Sequence, residues 1–205
     1  MAKKIVKARK IPTIKTFIDA QKYAEQLGGD IVESLAEEMT EEEIIEALIP
    51  SLQSAGKNIA RAARIAQSII DDDAGLGLAS LEPEFNVMQM AARIAQSIVD
   101  GNNATEKELV GIVDETVRIN AEAREELGLT THIVRTYSDV GIRNGTKYSE
   151  DCEWCLSRCG EWNSYADAYA AGAFERHPGC KCEIDYYYDK TGTRGRFVGF
   201  NWSAG

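Results

Sequence analysis

The sequence predicts a mainly α-helical N-terminal region joined to a small α+β module at the C-terminus. Three observations carry this. Apolar residues recur at helical spacing from residue 12 to about 128. After Gly128 the composition turns to Thr, Tyr, Gly and Asn with β-favouring runs. All five cysteines fall between positions 152 and 182. The expected division is a basic flexible tail over residues 1–11, a helical domain over 12–130 and the α+β module over 131–205.

The tail comes first. Lys3, Lys4, Lys7, Arg9 and Lys10 stand in a stretch with no acid, so it reads as a solvated extension able to touch DNA or an acidic partner. The other residues hold 18 basic against 33 acidic side chains, a balance of −15 within a formal net charge of −10. Phosphate backbones repel so acidic a body, which argues against wholesale nucleic-acid binding. The N-terminus has no apolar core of a secretory signal, so a reducing cytosol is expected. No apolar run approaches the roughly 18–20 residues of a membrane-spanning helix, and no membrane partner is expected.

Pro12-Thr13 opens the first helical segment, with Phe17, Ala20, Tyr23, Ala24 and Leu27 on one face and Gly28-Gly29 as its expected stop. Thr40 and Glu43 read as a capping box for a second helix carrying Ile44, Ile45, Leu48 and Ile49, which Pro50 is expected to interrupt. "AARIAQSIID" (62–71) returns as "AARIAQSIVD" (91–100), differing only at Ile70 against Val99. Two copies are too few for a solenoid, so a duplicated helix is expected, with Ala62/Ala91, Ile65/Ile94, Ala66/Ala95 and Ile69/Ile98 on equivalent faces. The acids Asp71, Asp72 and Asp73 lack the ligand spacing of a calcium loop and read as a solvated helix end. Thr105 and Glu108 repeat the capping signal ahead of the stripe Leu109, Ile112, Val113, Val117 and Ala121, which Gly128 ends.

In the C-terminal module, "THIVRT" reads as a strand holding His132 in a structural setting. "SYADAYAAGAF" reads as a short helix or compact loop, and Asp189-Lys190-Thr191-Gly192 as a hairpin turn. Cys152-x2-Cys155 is followed, after 21 intervening residues, by His177-x2-Cys180-x-Cys182. Ligands two residues apart in a tight turn reach one metal, and two such clusters supply the four thiolate or imidazole donors that tetrahedral zinc takes. A structural zinc is therefore expected, stabilising a module too small to build a sufficient core of its own. Cys152, Cys155, His177, Cys180 and Cys182 are five candidates for four positions: Cys152 and Cys155 plus two of the other three. His177 also admits a role beside the ligands, Cys159 reads as a free thiol, and Trp154 and Trp162 are expected to cover the site. An odd cysteine count argues against a disulfide framework.

CEWC followed by RHPGCKC resembles the C-terminal zinc module of the tailed-phage minor head, or head-morphogenesis, proteins, the family typified by the F protein of phage Mu. The resemblance spans about 30 residues by motif and, with the helical front, most of the chain. Lys181 stands where that family often has Arg or Asp. The resemblance implies a structural minor capsid protein in the phage head, assembled in the host cytoplasm. Its partners would be the portal and/or the major capsid protein in a large symmetric assembly, with packaged DNA reached through the basic tail and departure with the DNA as a further role open to such a protein. The residues that fall on the motif are Cys152, Cys155, His177, Cys180 and Cys182.

An enzyme is not expected. A catalytic zinc keeps an open position beside a general base, whereas this cluster is rich in donors, and neither HExxH, a phosphate-cradling loop nor a nucleophile elbow occurs. The other class open at this point is a zinc-module regulatory protein in the cytosol that binds nucleic acid or protein. It would use Lys190, Arg194 and Arg196 with Tyr186, Tyr187, Tyr188 and Phe197 as a basic-aromatic patch.

Overall fold

The computed structural model describes residues 10–36, 38–137, 142–143, 146–147, 152–190 and 193–194. The basic tail, apart from its last residues, lies outside these, as do Arg196 and Phe197. Four helices lead: α1 (Phe17–Glu33), α2 (Glu41–Asp73), α3 (Val87–Val99) and α4 (Thr105–Glu126). The remainder is β1 (Thr131–Thr136), β2 (Ile142–Arg143), β3 (Thr146–Lys147), α5 (Glu153–Leu156), β4 (Gly160–Trp162), α6 (Tyr165–Ala170), β5 (Glu183–Lys190) and β6 (Thr193–Arg194). The fold is thus mainly helical with a small α+β part at its C-terminal end. Among the described residues no helix is long and apolar enough to cross a membrane.

Two helix starts carry a capping box. Thr40 and Glu43 form the expected capping box at α2, and Thr16 with Asp19 forms another at α1. At α4 the expectation fails. Thr105 is the first helical residue and buried, and its backbone N–H is taken by the Asn103 carboxamide oxygen at 3.0 Å.

The expected stops fail too. α1 runs through Gly28-Gly29 because Gly28 lies where α1 crosses α4: a Cβ there would sit 3.0 Å from Glu106 Cγ and 3.1 Å from its Cα. The glycine serves close approach, not termination. α2 runs through Pro50, since Leu48, Leu52, Ala55 and Ile59 around it are all buried. Core packing outweighs the roughly 3 kcal/mol that an internal proline costs.

The duplicated decapeptide forms two helices packed on each other, the C-terminal part of α2 and most of α3. Their environments differ. Ile94 is fully buried while Ile65 is 36% exposed. Gln67 and Asp71 are buried and Gln96 and Asp100 exposed, although each pair makes the same i,i+4 hydrogen bond at 3.0 Å. Asp71 is therefore not a solvated helix end. It accepts from Arg124 at 2.9 Å and from the Tyr188 hydroxyl, within a network that Gln67 and Tyr186 complete. Arg124 also holds Ala79 O, and Asn120 brackets both backbone groups of Leu81, so the loop after α2 is fastened to α4.

The sheet order is β4-β1-β5-β6, all antiparallel, with Ile133 opposite both Trp162 and Tyr186. The pairing Lys190↔Thr193 makes the expected hairpin, and β2 pairs with β3. Alternation directs Ile184, Tyr186 and Tyr188 to one face, where they join Phe17, Leu48 and Val113 in a single core. The Phe17 and Tyr186 rings lie 5.7 Å apart. The core therefore continues past residue 130 into the sheet. Tyr186 and Tyr188 face inward and Tyr187 donates to Glu161, which leaves no run of three tyrosines on the surface. His132 lies in β1 as expected, stacked on Tyr187 at 4.7 Å and 8°.

Candidate metal centre

Three local structures deliver the donors. α5 is a single turn whose N-cap is Cys152 and whose third residue is Cys155. His177-Pro178-Gly179-Cys180 is a tight turn closed by Cys180 N–H to His177 O at 3.1 Å, with Gly179 at φ 80°, which needs a residue without Cβ strain. Cys182 lies just ahead of β5.

The two turns face each other. His177 Nε2 lies 3.0 Å from Cys155 Sγ and 3.4 Å from Cys152 Sγ, and Cys155 Sγ lies 3.7 Å from Cys180 Sγ. Ligands around a tetrahedral metal with bonds of about 2.3 Å to sulfur and about 2.0 Å to nitrogen stand roughly 3.5–3.8 Å apart. Two triplets meet the spacing needed to hold an ion: Cys152, Cys155 and His177, and Cys155, Cys180 and Cys182, with Cys155 common to both. The imidazole is oriented for such a role. Its Nδ1 donates to Pro178 O at 2.8 Å, since a carbonyl can only accept, and this leaves the Nε2 lone pair directed at the sulfurs.

Each of the five candidates thus falls in one of the two triplets, and Cys159 lies beside them, its sulfur 4.0 Å from that of Cys182. The expectation for the tryptophans holds for one. Trp154 meets the His177 ring edge-on at 5.0 Å and carries Arg158 over its face at 4.0 Å. Trp162 packs instead on the main core from β4.

Sequence reasoning missed the charged groups behind the sulfurs. Arg176 donates two hydrogen bonds to the Asp114 carboxylate of α4, one to Cys182 O at 2.7 Å, and one to Cys180 Sγ at 3.8 Å. Gln21 of α1 reaches Asp114 at 3.2 Å and both backbone groups of Ile184 at 3.3 Å. Arg135 of β1 donates to the carbonyls of Gly172, Ala173 and Glu175 and to Cys180 Sγ at 3.5 Å. A signal existed. In T-H-I-V-R-T the alternation that buries Thr131 and Ile133 also buries Arg135, and an arginine on the inward face of a strand requires an anion or carbonyls nearby.

These groups set the sulfur electrostatics. A hydrogen bond from Cys182, then Arg176 and Arg135, pull the Cys180 thiol down, making it the sulfur held most readily as thiolate. Donation to Cys180 together with burial pushes Cys182 up, and burial beside Cys180 pushes Cys155 up to about 12.

No family model, curated protein or solved structure matches this chain.

Proposed function

We propose that this chain is a structural minor head protein of a tailed bacteriophage, acting in head morphogenesis, and that its Cys/His cluster holds a structural zinc. The observation that carries the zinc reading is the approach of the CEWC turn to the HPGC turn, which places sulfur and imidazole donors in two triplets that share Cys155. A borderline-soft ion with no geometric demand of its own suits mixed thiolate and imidazole donors. Buried sulfurs and a surplus of donors favour a closed, structural ion over one that activates water. Zinc here ties α5 to the HPGC turn, across a segment otherwise short of regular structure.

The phage reading rests on the resemblance of CEWC and RHPGCKC to the minor head family. Under it the protein sits by the portal or the major capsid protein, with the basic tail free to reach packaged DNA. A regulatory nucleic-acid binder is less favoured, because Tyr186 and Tyr188 of the supposed aromatic patch are core residues.

Two measurements test the proposal. Elemental analysis of the purified chain is expected to give one zinc per molecule, and a chain without bound metal would remove the first half. Sedimentation of a lysate of its source, followed by mass spectrometry, is expected to find the protein in a DNA-filled particle of many megadaltons. Recovery only as a free 22.6-kDa chain would remove the second half.

A further inference from the structure

Arg135 is the largest fully buried side chain, at 1% exposure. Among the described residues no carboxylate pairs with it, and its Nε has no hydrogen-bond partner. The acidic group it reaches is a cysteine sulfur, Cys180 Sγ, to which its Nη2 donates at 3.5 Å. Each neighbouring charge is already matched: Arg176 by Asp114, Lys181 by Glu25 and Glu106, and Arg158 by Glu175. A buried cation without a counter-charge is strongly unfavourable, and carbonyl dipoles meet only part of its need. Among the described residues the sulfur cluster is therefore the group placed to carry the balancing negative charge.

We propose that Arg135 is the counter-cation of the metal centre, and that the occupied centre is a mono-anion of Zn2+, the thiolates of Cys152, Cys155 and Cys180, and the neutral imidazole of His177. The inference rests on the zinc reading above and goes further by fixing the ligand set. Zn2+ with three thiolates and one imidazole bears one negative charge, which Arg135 neutralises. Four thiolates would leave a buried negative charge unmatched, and two thiolates with two neutral ligands would leave Arg135 unmatched. Cys180 supplies the third thiolate to the Cys152, Cys155 and His177 triplet because Arg135 and Arg176 both donate to its sulfur, which lies 3.7 Å from that of Cys155. Cys182, although close to Cys155 and Cys180, then lies outside the set, its sulfur also 4.0 Å from that of Cys159. Arg135 is thus a positioning residue that stabilises the centre without contacting the ion.

The test uses the full chain and two probes. Zinc affinity is measured by competition with a chromophoric chelator for wild type, R135K and R135Q. R135Q, which keeps a donor and loses the charge, is expected to bind zinc about 10–100-fold more weakly, the range for changes behind a metal's ligands. R135K keeps the charge on fewer donors and is expected to fall between wild type and R135Q. Loss in R135K equal to or greater than in R135Q, or wild-type affinity in both, would overturn the proposal, leaving the guanidinium as a tie for the 172–175 carbonyls. Cobalt(II) in place of zinc counts thiolates by its charge-transfer absorption, and needs no Arg135 variant to fold. C182S is expected to keep the wild-type intensity and C180S to lose about a third of it, one thiolate of three. A loss in C182S overturns the ligand set. A chain that binds no zinc overturns the metal reading and this inference together, whereas equal zinc affinity in all three proteins overturns only the inference.

Discussion

Replacing Asp114 with alanine tests how the Cys/His-bearing segment is fastened to the helices. Asp114 sits on α4 and Arg176 directly precedes His177. Both side chains are 3% exposed, joined through two guanidinium nitrogens. Burial acts to lower the guanidinium's pKa, and Asp114 with the Cys180 and Cys182 sulfurs raises it overall. D114A leaves that cation buried with only Cys182 O and the Cys180 sulfur to meet it. Breaking a buried pair from one side costs about 3–5 kcal/mol. Gln21 keeps both backbone groups of Ile184 and adds little to the loss. Against a total of roughly 5–15 kcal/mol for a single domain, D114A removes a substantial share of stability. The assay is urea unfolding of zinc-loaded protein by far-UV circular dichroism, with an unchanged slope expected. E82A is the control: its partner Arg64 is bonded at 2.8 Å, but both side chains are about half exposed, so about 0–1 kcal/mol is expected. A D114A cost below about 1 kcal/mol, indistinguishable from E82A, would refute the reasoning, because the pair would then not hold the segment to α4.

Three further outcomes are expected. The duplicated glutamines should separate sharply in unfolding experiments: Q67A strips a buried site bonded to Asp71, Tyr186 and Tyr188 and should cost about 2–4 kcal/mol, whereas exposed Q96A should cost under about 0.5 kcal/mol. Burial raises the Asp185 carboxyl to about 7, with Glu183 and Asp19 adding to the rise and the Tyr186 N–H opposing it; its unfolded value is about 3.9. The folded state therefore holds the extra proton, so its contribution is full below about pH 4 and declines as pH rises through about 7; the stability of wild type relative to D185N should fall across that window, and a parallel pH profile for the two proteins would contradict the assignment. At Gly56 a Cβ would lie 2.4 Å from the Phe85 ring, so G56A should cost about 1–3 kcal/mol by overpacking, and F85A in the same chain should recover part of the loss in thermal melts.

The sequence by itself determined what depends on near neighbours along the chain. The capping box at Thr40, the apolar stripes of the helices, the alternating strand at residues 131–136 and the two donor turns all express local periodicity or spacing, and each appears in the fold. Tertiary structure decided whatever depends on what lies opposite. Gly28 and Pro50 read as stops, yet helix crossing and core burial carry both helices through them. One decapeptide written twice became a buried polar network in α2 and a half-exposed helix in α3, because Tyr186 and Tyr188 stand opposite only the first copy. The centre itself divides the same way. Its sulfur and imidazole donors were legible because zinc ligands come in short-range pairs. Arg135, Arg176 and Asp114 meet them from a strand, a turn and a helix distant in sequence, since balancing buried charge is a condition on space and not on the chain.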